Sequence, residues 1–490
     1  MITDDRDACY EAMKSKDSRF DGRFFVGITS TGIYCRPVCH ARLPKKENCV
    51  FFRTSAEAER AGFRPCLLCR PELAPGSSPM DASSALARRA ARLVRDTAGE
   101  NLSLEDIAAR LGCSTRHLRR VFMDAWQVSP IAYRQTCRLL LAKQLLTDTR
   151  LPVLDVAMAS GFGSVRRLNE AFQAHYHLTP TRLRKETPEG GRRADLISVS
   201  LGYRPPFAWE NLLAFFAARA IQGVEQVKDG AYERTVRLQG RDGKIVSGWL
   251  RVEQDQGRNA LRLTLPDTLA PVFPQVIAKV RALFDTDSDP SLIESRLKGM
   301  NREKEGLFLP GVRIPGCFAP FETAVRAIIG QQVTVHVAGV LAGRIAQQLG
   351  PVVETGRAGL DHAFPSPEAF VSPKEEDQMA ARLGGLGVVR TRSRCIIALA
   401  RAVTEGRIHL SRFADPEAEI VKLKAIPGIG DWTAKYIAMR TMGWTDAFLE
   451  TDAGIRHALA DMSDAGRIAW AEAWRPWRSY ATVCLWNSLG

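Results

Sequence analysis

The chain has 490 residues, with 68 Lys+Arg against 54 Asp+Glu, a net charge of +14 and a pI near 9.4. That excess points to a polyanionic partner, either nucleic acid or an anionic membrane surface. The charged opening MITDDRDACYEAMKSKDSRF and the lack of any apolar run of spanning length argue against a secretory leader and a membrane span, so a cytoplasmic, reducing setting with no membrane partner is expected. Length leaves room for three or four domains, each with a core.

The first distinctive stretch is YCRPVCHARL, followed by FRPCLLCRP. Together they place Cys35, Cys39, Cys66 and Cys69 as C-x3-C, a 26-residue gap, then C-x2-C. Two closely spaced cysteine pairs form two edges of a thiolate tetrahedron and suit Zn²⁺; disulfides are the competing reading. The reducing setting and the odd total of 11 cysteines favour metal. Strand-like pieces (RFFVGITSTGIYC, CVFFRT) and one helix, SAEAERAGF, capped by Ser55, are expected around the site. Cys49 lies outside the tetrad and reads as a small buried hydrophobe.

PELAPGSSPMDASS, 71–84, is rich in Pro, Gly and Ser and reads as a linker. Beyond it, from 86 to 185, apolar residues recur at helical spacing. A loose repeat lies within: LSLEDIAARLGCSTRHLRRVFMDAWQVSPIAYRQ is echoed by LPVLDVAMASGFGSVRRLNEAFQAHYHLTPTRLRK. Each copy has an apolar helix, a glycine turn (Gly112, Gly161), a basic helix and a Ser/Thr-Pro, which is the pattern of two helix-turn-helix units. Arg116, His117, Arg119 and Arg120 on the first basic helix, and Ser164, Arg166 and Arg167 on the second, are the candidates for DNA. Solvated helix faces are the alternative for any one of them.

ETPEGGRRADL, 186–196, is a second break. After it come an aromatic, proline-containing strand, a helix and alternating strands around GRDGK, and from about 308 the text is mostly helical. There LKAIPGIGDWTAKYIAMR places Gly428 and Gly430 in a turn between two helices, and Asp452 follows twenty positions after Trp432. A glycine turn at a helix start lets backbone N–H groups approach a phosphate.

Three resemblances complete the reading. The repeat resembles the AraC-type DNA-binding domain. The glycine turn, Asp452, FETAVRAIIGQQVTV, WRPWRSYATVCLW and YRPPFAWENLLAFFAARA resemble the helix-hairpin-helix DNA glycosylases of the AlkA 3-methyladenine type. That likeness implies that Asp452 stabilises the oxocarbenium-like sugar, that Phe215, Trp432, Tyr436 and Trp486 form the base pocket, and that Gln332 wedges into the vacated stack. Trp432 stands where strand-cutting relatives carry a Schiff-base lysine, and Lys435 is out of register, so a monofunctional glycosylase is implied. The first 75 residues, through FDGRFFVGITSTGIYCRP, ENCVFF and AGFRPCLLC, resemble the methylphosphotriester-repair zinc domain of the Ada family. This implies Zn²⁺ on the four cysteines, Cys35 as methyl acceptor, and Thr31, His40, Arg42 and Arg64 at the DNA. The Pro-Cys-His-Arg motif of the second Ada methyltransferase domain is absent.

The expected architecture is multidomain and mostly α with α+β parts. It comprises a zinc-binding α+β domain (1–75), an AraC-type two-unit helix-turn-helix domain (86–185), a small α+β domain (196–306) and an all-α helix-hairpin-helix glycosylase domain (308–490). Expected partners are alkylation-damaged duplex DNA, promoter DNA and RNA polymerase. A zinc-dependent transcription regulator with a non-catalytic C-terminal half is the alternative.

Overall fold

The computed structural model describes residues 3, 5–75, 85–100, 102–185, 195–302, 305–371 and 376–489. Most of the two expected linkers, 76–84 and 186–194, lies outside the described residues.

The N-terminal part is a four-stranded sheet in the order Cys49–Phe52, Phe25–Ile28, Ile33–Cys35, Arg64–Pro65, flanked by helices Arg6–Lys14 and Ser55–Arg60. The second helix is capped by Thr54, whose hydroxyl accepts from the Glu57 N–H at 3.0 Å, so Ser55 is its first residue and not its cap. Arg6–Lys14 was not anticipated. Its only apolar side chains buried are Cys9, Ala12 and Met13, a stripe too thin to stand out in a charged stretch.

The helical repeat takes its expected form. Leu104–Arg110, a turn at Gly112 and Thr115–Trp126 make the first unit, and Val153–Ala159, a turn at Gly161 and Val165–Tyr176 the second. Both glycines have positive φ, where a side chain would strain the turn. Ser103 and Asp106 close a capping box, and Ser114, Ser129 and Ser164 cap the helices after them. The 19-residue helix Pro130–Asp148 joins the two units.

A five-stranded antiparallel sheet follows, ordered Leu196–Gly202, Ala260–Pro266, Ile245–Asp255, Ala231–Gln239, Glu225–Lys228. The remainder is helical apart from the hairpin Val352–Arg357 with Leu360–His362. That hairpin leans on the five-stranded sheet: the Asp361 and His362 N–H groups donate to the Gly223 carbonyl. Support from another part of the chain is invisible to local periodicity.

Packing crosses the breaks in sequence texture. One apolar core runs from Leu139 through Leu183 into the sheet residues Ile197 to Leu265, so the second helix-turn-helix unit and the α+β part share an interior. Ala56 of the zinc region joins the core of the first unit. Between the zinc region and the helix-turn-helix part (the reader, 85–185) lies a buried carboxyl, Glu59, which accepts from Thr136 (2.7 Å), Tyr34 (3.1 Å) and Tyr176 (3.3 Å), with His175 Nδ1 4.0 Å away. Tyr34 immediately precedes Cys35. Nearby, Lys143 and Glu72 form an ion pair with side chains 1% and 2% exposed.

Burial pushes the Glu59 carboxyl up to about 7, against the opposing pull of its three hydroxyl donors. A carboxyl whose pKa is raised on folding stabilises the fold fully below its unfolded value near 4.5, and that contribution is lost as pH rises through 7. Wild type is therefore expected to lose up to about 3 kcal/mol of docking stability between pH 4.5 and 8 that Glu59→Gln does not lose. Urea unfolding of both proteins across this range checks it; parallel pH dependences would refute it.

Candidate functional site

Two centres emerge, one in the helical C-terminal part and one in the zinc region. The first is an open cavity of about 1190 Å³ whose wall includes Asp452, Trp432, Tyr436, Trp486, Gln332, Gly428 and Gly430. These residues come from four places in the chain: the glycine turn, the loop after Pro320–Ile329, the start of Ala453–Ala458 and the last helix, Arg478–Asn487.

Asp452 is the N-cap of Ala453–Ala458. Its Oδ1 accepts from the Gly454 N–H (2.9 Å), the Ile455 N–H (3.1 Å) and the Trp486 indole (2.9 Å), while Oδ2 accepts from the Trp432 indole (3.0 Å). Oδ1 is thereby saturated, and Oδ2 keeps a lone pair for a group in the cavity. Four N–H donors therefore converge on this one side chain. One carboxylate thus caps the helix and faces the cavity.

Of the four aromatics, Trp432, Tyr436 and Trp486 line the cavity and Phe215 does not. Trp432 stacks on Tyr436 (centroids 5.1 Å, 11°), and Tyr436 meets Trp486 at 6.3 Å. Phe215 lies behind Trp486, stacked at 6.1 Å, with the Arg219 guanidinium 3.8 Å over its ring; the phenyl that reaches the cavity wall is its neighbour Phe216. Burial raises the Tyr436 phenol, but Arg440, Arg219 and Arg326 around it more than reverse this, and Arg440 donates to its oxygen at 2.6 Å.

The glycine turn joins Pro416–Lys424 to Asp431–Ile437. Gly428 has φ +96°, and a Cβ there would meet Cys395 at 3.2 Å. A Cβ at Gly430 would meet only open space. Lys435 is committed elsewhere: its ammonium pairs with Asp431 (2.6 Å) and Glu450 (2.9 Å), and although burial opposes it, those carboxylates hold its pKa above the ordinary lysine value. Asp446 is likewise occupied, by Arg475 and Arg478.

Sequence reasoning missed Gln331. Its amide donates to the Gly428 carbonyl and to Thr433 Oγ1, both at 2.9 Å, tying the loop after Pro320–Ile329 to the turn. Gln332 beside it is exposed at φ +53°, a left-handed position. The Gln-Gln pair after IIG was the available signal, but it does not say which glutamine faces inward.

In the zinc region the sulfurs of Cys35, Cys39, Cys66 and Cys69 lie within 4.8 Å of one another. A ZnS₄ tetrahedron has edges of about 3.8 Å, so the cluster fits that ion. Four thiolates this close repel one another, so holding them together ionised requires a cation. Cys35 is only 5% exposed, whereas Cys39 and Cys69 are more open. Thr31, His40 and Arg42 are exposed and Arg64 half-buried. Arg36, also missed, braces the cluster: its N–H reaches Cys69 Sγ at 3.3 Å, Nη1 reaches the Cys69 carbonyl at 3.0 Å, and its guanidinium pairs with Asp21. Cys49 is buried, as expected.

On the reader helices Arg116, Arg119, Arg120, Arg166 and Arg167 are exposed, and His117 is half-buried with Nδ1 3.2 Å from Arg120. Arg166 bonds Glu170 on its own helix at 2.8 Å, and the Ser164 hydroxyl accepts from the Arg167 N–H as a cap.

Comparison with known proteins supports each part. Three family models match: the metal binding domain of Ada over residues 8–72, a helix-turn-helix domain over 107–186 and the AlkA N-terminal domain over 198–319. A probable bifunctional transcriptional activator/DNA repair enzyme AlkA from Mycobacterium tuberculosis is 38% identical over 498 residues, covering 99% of this chain and 97% of the relative. DNA-3-methyladenine glycosylase 2 of Escherichia coli is 34% identical over 291 residues, 59% of this chain and 97% of that one. The fold of a 3-methyladenine DNA-glycosylase from Archaeoglobus fulgidus superposes with a TM-score of 0.50 at 22% identity, covering 59% of this chain and 97% of the other. With a carboxylate set among indoles beside a glycine turn, a four-thiol cluster, and likeness along nearly its whole length, this chain belongs to the family of bifunctional transcriptional activator/DNA repair enzymes of the AlkA type.

Proposed function

We propose that this protein excises alkylated purines such as 3-methyladenine from duplex DNA and repairs methylated DNA phosphates, the second reaction switching on sequence-specific DNA binding and transcription. The single observation that carries the first activity is the Asp452 carboxylate, held by four N–H donors on the wall of an aromatic cavity.

Breaking an N-glycosidic bond builds positive charge on the sugar. A fixed carboxylate in a water-poor site stabilises that charge without reorganising, an effect typically worth about 10²–10³ in rate. Asp452 Oδ2, with one donor and an open lone pair, is placed for this and for orienting the attacking water. Trp432, Tyr436 and Trp486 offer stacking faces to a flipped, cationic purine. Gly428 and Gly430 present N–H groups to the backbone, and Gln332 fills the vacated stack. Lys435, charged and paired twice, offers no free amine for a Schiff base.

In the zinc region Cys35, Cys39, Cys66 and Cys69 would hold Zn²⁺, which keeps their sulfurs as thiolates at neutral pH. Cys35 Sγ takes the methyl group: an S–C bond forms, the methyl C–O bond breaks, and the phosphate leaves as a diester anion. One negative charge vanishes at the sulfur, so repulsion from DNA falls and affinity rises. By the family likeness, Thr31, His40, Arg42 and Arg64 contact the DNA at this site. Arg116, His117, Arg119, Arg120, Ser164, Arg166 and Arg167 then read promoter DNA, and activation proceeds through contacts with RNA polymerase.

Incubation with methylated duplex DNA should release free methylpurines, leave abasic sites uncut and give no borohydride-trapped protein–DNA adduct. Strand cutting with trapping would contradict a monofunctional glycosylase, and no base release would leave the non-catalytic regulator reading. On DNA carrying methylphosphotriesters, peptide fragmentation should place one added methyl on Cys35, and chelation of zinc beforehand should abolish the transfer. Methylation at the more open Cys39 or Cys69 would overturn the assignment.

A further inference from the structure

The cavity wall carries four guanidiniums, from Arg219, Arg234, Arg326 and Arg440. Three have partners. Arg234 pairs with Glu322 at 2.9 Å and with Glu225 at 3.7 Å. Arg440 donates to the Tyr436 oxygen and, at 2.8 Å, to the Gly316 carbonyl. Arg219 lies over Phe215 and donates to its carbonyl at 3.4 Å. Arg326 differs: the residue lines the same cavity, and its Nε and Nη2 are buried with no hydrogen-bond partner. Burial, then Arg219 and Arg440, lower its pKa, against Tyr436 and Glu225. Two buried, unmet N–H donors are costly unless an acceptor arrives.

We propose that Arg326 donates to an acceptor oxygen of the flipped base and thereby sets the ratio at which guanine-derived and adenine-derived lesions are released. The inference rests on the glycosylase reading above and concerns selection within its substrates. Two N–H groups on one guanidinium match a carbonyl oxygen with two lone pairs. At the equivalent ring position adenine carries an amino group, which sets donor against donor. A site built to give a hydrogen bond discriminates strongly against a base that cannot accept it there. Charge alone does not discriminate, because 7-methylguanine and 3-methyladenine are both cationic while attached to the sugar and both leave neutral.

That equality makes the test internal to one substrate. Methylated duplex DNA contains both lesions, and single-turnover release of each is followed for the zinc-loaded full chain as wild type, Arg326→Met and Arg326→Lys. Arg326→Met should slow 7-methylguanine release about tenfold while changing 3-methyladenine release less than twofold. Arg326→Lys, with charge retained and the fork lost, should fall between. Parallel slowing of both bases in both variants would identify a phosphate contact or a shape effect and overturn the proposal, as would an unchanged ratio. Wild type releasing neither base would instead remove the glycosylase reading itself.

Discussion

Much of the C-terminal architecture converges on one carboxylate. Asp452 starts a six-residue helix, receives the indole N–H of Trp432 from the glycine turn and receives that of Trp486 from the last helix, so three distant segments are fixed by hydrogen bonds to two oxygens. A charged acceptor makes such bonds short and strong, and replacing it leaves buried donors unmet. Turn, aromatic wall and carboxylate are thus one unit. The π-turn Ala438–Met442 directly follows the turn helix and carries Arg440 into the same wall. There Arg440 joins Tyr436 to the Gly316 carbonyl.

The N-terminal half is organised by buried charge. Lys143–Glu72, Arg95–Asp287 and Arg23–Asp289 span the junctions among zinc region, reader and α+β part. Buried pairs of this kind add little net stability, because desolvation offsets the attraction; they fix which surfaces meet. Arg70, next to zinc ligand Cys69, bonds Asp148 and Thr147 at the end of the long reader helix, and Tyr34, next to Cys35, bonds Glu59. Both arms of the thiol cluster are therefore anchored to the element that spaces the two helix-turn-helix units.

What could be read from sequence follows the range of the interactions. Cysteine spacing, glycine turns, Ser/Thr-Pro caps and the Trp432–Asp452 interval are local or carry a fixed chemical requirement, and the structure gathers those residues where the reading put them. Phe215 and Phe216 could not be separated, because adjacent helix positions point about 100° apart and composition does not say which faces the cavity. Arg6–Lys14 hid in a charged stretch, and the hairpin Val352–Arg357 with Leu360–His362 depends on Gly223, more than a hundred residues earlier. Gln331, Arg36, Glu59 and Arg326 matter through partners, or a missing partner, far away in sequence. Spacing rules carry no information about such residues.

The measurement that bears most directly on the central claim is single-turnover release of 3-methyladenine from methylated duplex DNA by wild type and by Asp452→Asn, both folded and zinc-loaded. Asparagine keeps the side-chain shape and the cap oxygen but removes the charge. Release slowed by about 10² or more, with DNA affinity within a few-fold of wild type, is the result expected of a carboxylate that stabilises the sugar cation. Release at an undiminished rate by Asp452→Asn would contradict the account.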